Sequence, residues 1–111
     1  MKRPLTSLSS LKDFQAYVAE MYQERGFEGQ SVSEQFHLLL EELGEFARST
    51  RKAAGIGTRR PDKQVDEGLS LEAADVFIYL LGLCNTLDID LESAFKEKEE
   101  INDRRVWKST P

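Results

Sequence analysis

Four carboxylates in two short patterns are the residues of this chain best placed to do chemistry. Glu42 and Glu45 stand three apart in HLLLEELGEFAR, and Glu72 and Asp75 stand three apart in LEAADVFIYLLGLCNTL. On a helix, that spacing puts both members of a pair on one face. The second pair lies in an apolar run: Leu71, Ala74, Ile78, Leu81 and Cys84 recur at helical spacing, and Val76, Phe77, Tyr79, Leu80 and Leu83 fill much of the remaining circumference. A helix apolar nearly all round belongs in a core. Asp75 is therefore expected inside, where an ionised carboxylate costs roughly several kcal/mol even after relaxation.

The first pair sits beside the stripe Phe36, Leu39, Leu40, Leu43, Phe46 and Ala47. If the two helices pack through their apolar faces, the four acids converge at one depth. Two carboxylates about 4 Å apart repel by about 4 kcal/mol at an effective dielectric of about 20, so protons or a divalent cation must balance the set. Oxygen-only donors suit hard cations such as Mg²⁺ or Mn²⁺. Further along, Lys98 and Asn102 are four apart and share a helix face, so a cation and an amide can reach one anionic ligand together. Arg104 and Arg105 follow, where they also favour the negative end of a helix.

These residues together resemble the MazG-like, all-α nucleoside triphosphate pyrophosphohydrolases, which are related to the dimeric dUTPases. The family pattern is E-E-x-x-E, then E-x-x-D after a variable loop, then a Lys and an Asn four apart with nearby Arg. Here it reads Glu41-Glu42-Leu43-Gly44-Glu45, then Glu72-Ala73-Ala74-Asp75, then Lys98 and Asn102 with Arg104 and Arg105. The match runs from about Glu34 to Trp107. The resemblance implies that Glu42, Glu45, Glu72 and Asp75 hold Mg²⁺, with Mn²⁺ able to substitute, and that Lys98, Asn102 and an arginine, Arg104 or Arg105, hold the polyphosphate. Tyr79 resembles a tyrosine that lines the nucleotide pocket in some relatives, with a core aromatic as its other reading. Phe27 resembles an aromatic near the base pocket, although core packing explains it as well. Glu41 is assigned the catalytic role, with three uses open: a second ion, orientation of the attacking water, or plain solvation.

The implied activity is Mg²⁺-dependent hydrolysis of a nucleoside triphosphate to its monophosphate and pyrophosphate, for nucleotide-pool sanitation. Two other classes stand beside it. One is a nucleotide-binding or regulatory bundle with little turnover. The other is an iron-binding carboxylate bundle, because Glu34-Gln35-Phe36-His37 has the E-x-x-H spacing of di-iron sites. Such a site needs two copies of the motif, which only a homodimer supplies here.

The elements that must position these residues are all helical, so an all-α four-helix bundle is expected, and the resemblance implies that it is of the all-α NTP pyrophosphatase type. After a flexible lead-in over residues 1–7, Leu8 to about Arg25 keeps a 3–4 apolar spacing up to Gly26. Ser31 and Glu34 have capping-box spacing, which starts a second helix that lasts to about Ala53. Residues 55–69 read as a mobile loop with room for a helical turn after Pro61. The third helix begins between Val65 and Ser70 and ends near Leu87. Asp90 then caps a fourth helix to about Arg105, and 106–111 is a tail with Trp107 placed to dock.

With 111 residues and 40% apolar content, one domain is expected. Its core is modest, so association into a homodimer or homotetramer is expected as well. Fifteen Lys plus Arg against 20 Asp plus Glu gives a net charge of −5, which argues against a surface that tracks nucleic-acid phosphates. Cys84 is the only cysteine, so no intrachain disulfide forms. The opening MKRPLTSLSS has no apolar targeting region, and Val76 to Cys84 is too short to span a bilayer. A cytoplasmic location without membrane attachment is the resulting expectation.

Overall fold

The computed structural model describes residues 2–55 and 68–105, which form four α-helices and, among the described residues, no strand. Helix α1 (Leu11–Arg25) begins where Ser10 accepts from the Asp13 amide while Asp13 accepts from the Ser10 amide, and it ends at Gly26 with φ 75°. That reciprocal cap starts the helix later than the apolar spacing suggests. Leu8 stays outside it, 91% exposed. Helix α2 (Val32–Ala53) has the anticipated box between Ser31 and Glu34, and Gly55 follows its end with φ 74°. Helix α3 (Leu69–Thr86) starts at Gly68 without a side-chain cap. Helix α4 (Leu91–Asp103) is capped by Asp90, which accepts from the Ser93 amide. The anticipated loop beyond Gly55 up to residue 67, its helical turn after Pro61 and the tail with Trp107 lie outside the described residues.

Two packing events organise the chain. In the first, α1 lies on the C-terminal half of α3, where Val18, Met21, Tyr22 and Leu81 form the buried cluster with Leu11, Ile78 and Leu91 against it. Gly82 permits this approach, because a Cβ there would collide with the Tyr22 hydroxyl. In the second, α2 pairs with α3 along its length. Gln35 Nε2 donates to Thr86 Oγ1 at 2.8 Å, and Ser49 Oγ donates to Glu72 Oε2 at 2.6 Å. Gln35 to Ser49 on one helix and Glu72 to Thr86 on the other are equal intervals. The two bonds therefore pin one antiparallel register.

Helix α4 is joined to this body at its first turn. The buried Gln15 of α1 donates from Nε2 to the Ile89 carbonyl and accepts the Leu91 amide on Oε1, while its own carbonyl accepts from Asn85 Nδ2. Lys12 reaches Asp90 at 3.4 Å. Asp88, with φ 59°, turns the chain between α3 and α4. Beyond that joint no residue of α4 is buried, and Phe95 is 65% exposed. The radius of gyration is 17.4 Å, against about 13 Å for a compact domain of about 100 residues, so the helices enclose less than a closed bundle of this length.

Two expectations need correction. Helix α3 is apolar nearly all round but buried only over Leu81 to Cys84, and Leu71 is 68% exposed. The reason is coverage: α1 reaches only the C-terminal half of α3, so among the described residues the first turns have α2 alone beside them. Asp75, on those turns, is accordingly exposed. By length and composition alone α3 is long and apolar enough to cross a membrane, with mean hydropathy 1.3 over 18 residues, as the core helix of a soluble protein also can be. At the other end, the lead-in runs back along α1, with Lys2 paired to Glu24, the Arg3 amide donating to Glu20 and the Lys2 ammonium 5.5 Å from the Tyr17 ring centre.

Candidate active site

The register of α2 and α3 places Glu42 midway between the two pinning bonds, level with Tyr79. Glu45 falls level with the turn that carries Asp75, and Ser49 bonds Glu72 one turn further. Inward positions of α2 thus alternate with α3 side chains along one seam, because 42, 45 and 49 recur at helical spacing. Glu42 and Glu72 are half-buried there, while Glu41, Glu45 and Asp75 are exposed.

Electrostatics show that the acids share a neighbourhood. Desolvation pushes the Glu42 carboxyl above its ordinary range, and Asp75, Glu45, Glu41 and Glu72, in that order, push it further. Burial raises the Tyr79 phenol, with Glu42, Asp75 and Glu41 adding to it. Burial raises Tyr22 as well, and Tyr79 adds to that shift. Phe27 stands edge-on to Tyr22 with ring centres 5.7 Å apart. An aromatic row of Phe27, Tyr22 and Tyr79 therefore leads up to the acids.

The donor set fits a hard cation in its chemistry: four carboxylates, no sulfur, and a mutual repulsion that bound positive charge would relieve. It does not close around one point as placed. Among the described residues, no three His, Cys, Asp or Glu side chains stand together closely enough to hold a metal ion. Glu72 has the weakest electrostatic influence on Glu42 of the acids that raise it. One oxygen accepts from Ser49, and the other lies 3.6 Å from where a Gly68 Cβ would be, back toward the start of α3.

The remaining predicted residues fall elsewhere. Glu41 lies 3.5 Å from His37 Nε2, and the imidazole is 74% exposed on the outward side of α2. Lys98, Arg104 and Arg105 are exposed and Asn102 is half-buried. Arg104 bonds Glu100 at 3.0 Å on its own helix. Helix α4 packs against α1, not along the α2/α3 seam, so within one chain the cationic set is not packed against the acids. Sequence reasoning passed over Ser49 and Tyr22. Ser49 carried a signal, one turn beyond Glu45 on the same face; Tyr22 carried none beyond its place in the α1 stripe. Comparison of the chain with protein-family models, with curated proteins and with solved structures finds no match.

Proposed function

We propose that this chain is a Mg²⁺-dependent nucleoside triphosphate pyrophosphohydrolase, whose site is the α2/α3 seam. The observation that carries the reading is the shared neighbourhood of Glu42, Glu45, Glu72 and Asp75 beside Tyr79, in the E-E-x-x-E and E-x-x-D patterns that resemble that family. Glu42, Glu45, Glu72 and Asp75 would hold the cation, which when bound would supply positive charge to the phosphates and acidify water. Glu41, on the exposed rim, accepts a proton from the attacking water. Tyr79 packs its ring beside the nucleoside, with Phe27 and Tyr22 behind it. Lys98, Asn102 and Arg104 or Arg105 hold the outer phosphates and stabilise the leaving pyrophosphate. Nucleotide-pool sanitation is the role such an activity serves, in a cytoplasmic setting.

A second copy of the chain belongs to this reading. Val32, Phe36, Leu40 and Leu43 line the outward face of α2 with roughly half of each side chain exposed. The helix carries Glu34, Glu41, Glu42 and Glu45 in its first part and Arg48, Arg51 and Lys52 in its last. Two α2 helices set antiparallel through that stripe oppose acidic to basic halves while covering the apolar side chains.

The test is the product. A panel of canonical and modified nucleoside triphosphates with Mg²⁺ is expected to release pyrophosphate from at least one member, with loss of that release in Glu42→Gln, Glu45→Gln and Glu72→Gln. Lys98→Ala is expected to weaken substrate binding more than turnover. Orthophosphate as the direct product, or unchanged turnover in all three glutamine variants, overturns the reading and favours a nucleotide-binding module.

A further inference from the structure

Two helix stripes are left uncovered among the described residues, and their chemistry is complementary. On α3, Leu71, Ala74, Asp75 and Ile78 recur at helical spacing on the side that α1 covers further along, and of the four only Ile78 packs against the buried cluster. Leu71 is 68% exposed, and Ala74 and Asp75 are exposed beside it. On α4 the same spacing aligns Ala94, Phe95, Lys98 and Ile101, all exposed, with Phe95 at 65%. Each stripe is apolar around a single charge, a carboxylate on α3 and an ammonium on α4. Leu71 to Ile78 and Ala94 to Ile101 are equal intervals, about 10 Å of helix each. Setting Asp75 level with Lys98 therefore places Leu71 and Ile78 against Phe95 and Ile101, whichever way the two helices run.

One chain does not bring these stripes together. Asp75 lies about 16 Å along α3 from its end at Thr86, and α4 begins beyond that end, fastened to α1 through Gln15. Helix α4 thus leaves from the end of α3 far from Asp75 and packs on α1. We infer that the uncovered stripe of α3 is the seat of α4 from a second copy of this chain, with Lys98 of one copy facing Asp75 of the other. Charge selects that occupant, since an apolar face around an ammonium complements an apolar face around a carboxylate. A two-fold axis makes the exchange reciprocal, so a single pairing covers both Leu71 and both Phe95 side chains. The contact stands on these faces alone, whereas its consequence rests on the site proposed above: each α2/α3 seam receives Lys98 and Asn102 from the other copy.

The experiment is charge exchange, read by sedimentation velocity on the nucleotide-free full chain at low salt. Asp75→Lys and Lys98→Glu are each expected to lower the affinity between identical copies by about tenfold, because like charges then meet at both contacts. Mixing the two variants is expected to restore the parent affinity, since a mixed pair sets opposite charges at both contacts. That restoration also shows both variants to be folded. Phe95→Ser is expected to weaken association while helical circular dichroism is kept. Variants that associate like the parent, a mixture no tighter than its components, or a parent that sediments as a single chain overturn the inference. No nucleotide or cation enters the measurement, so its failure leaves the proposed site to its own test, and an absence of pyrophosphate release leaves the contact standing.

Discussion

At the scale of the residue, Glu42 carries the largest electrostatic conflict on the seam. Its folded pKa is raised above the ordinary 4.5 by desolvation and then by its acidic neighbours, so the folded chain binds that proton more tightly than the unfolded chain does. The penalty is absent below the ordinary value, grows as pH rises through the raised one, and is complete at neutral pH. Glu42→Gln is therefore expected to raise the metal-free Tm at pH 7, with the gap to the parent closing below pH 4.5; thermal melts in chelator across pH check it. A variant less stable than its parent at neutral pH would make Glu42 a structural group. The spacing of the acids was legible in the sequence, because i and i+3 share a face whatever else packs nearby. The burial of Asp75 was not: apolar neighbours along a helix do not say which of them another helix covers, and α1 stops short of that turn.

At the scale of the element, caps were the most legible features, since Ser31 with Glu34 and Asp90 with Ser93 act within a few residues. The start of α1 was misread because the apolar period extends through Leu8, while the local cap at Ser10 decides the boundary. The contact between α1 and α3 had no sequence signal, as it depends on Gly82 meeting Tyr22 across sixty residues of chain. Gly82→Ala puts a methyl group into the Tyr22 ring, which is itself buried. It is expected to cost about 1–3 kcal/mol, read as a lower urea midpoint with unchanged slope. Parent-like stability would show that the ring yields without loss.

At the scale of the whole molecule, the outward stripe of α2 and the extended dimensions are the grounds for the proposed association. Light scattering is expected to give a mass of two or more chains at micromolar concentration, and Leu40→Glu with Leu43→Glu to return single chains that keep their helical circular dichroism. A parent that scatters as one chain would sink this. Neither the stripe's exposure nor the placement of α4 was legible beforehand, since helix faces alone do not order helices in space. That placement has a mechanical side. Because the first turn of α4 is fastened at Gln15, Ile89 and Leu91, a shift at that joint tilts the helix about its first turn. At about 1.5 Å per residue Lys98 stands about 10 Å out and Arg104 about 20 Å, so a tilt of about 10° sweeps them about 2 and 3 Å. Displacements of about 1 Å decide catalytic rates by about a hundredfold. In the role proposed for Lys98 and Arg104, their aim thus depends on that joint, where Gln15 of a different helix holds the first turn.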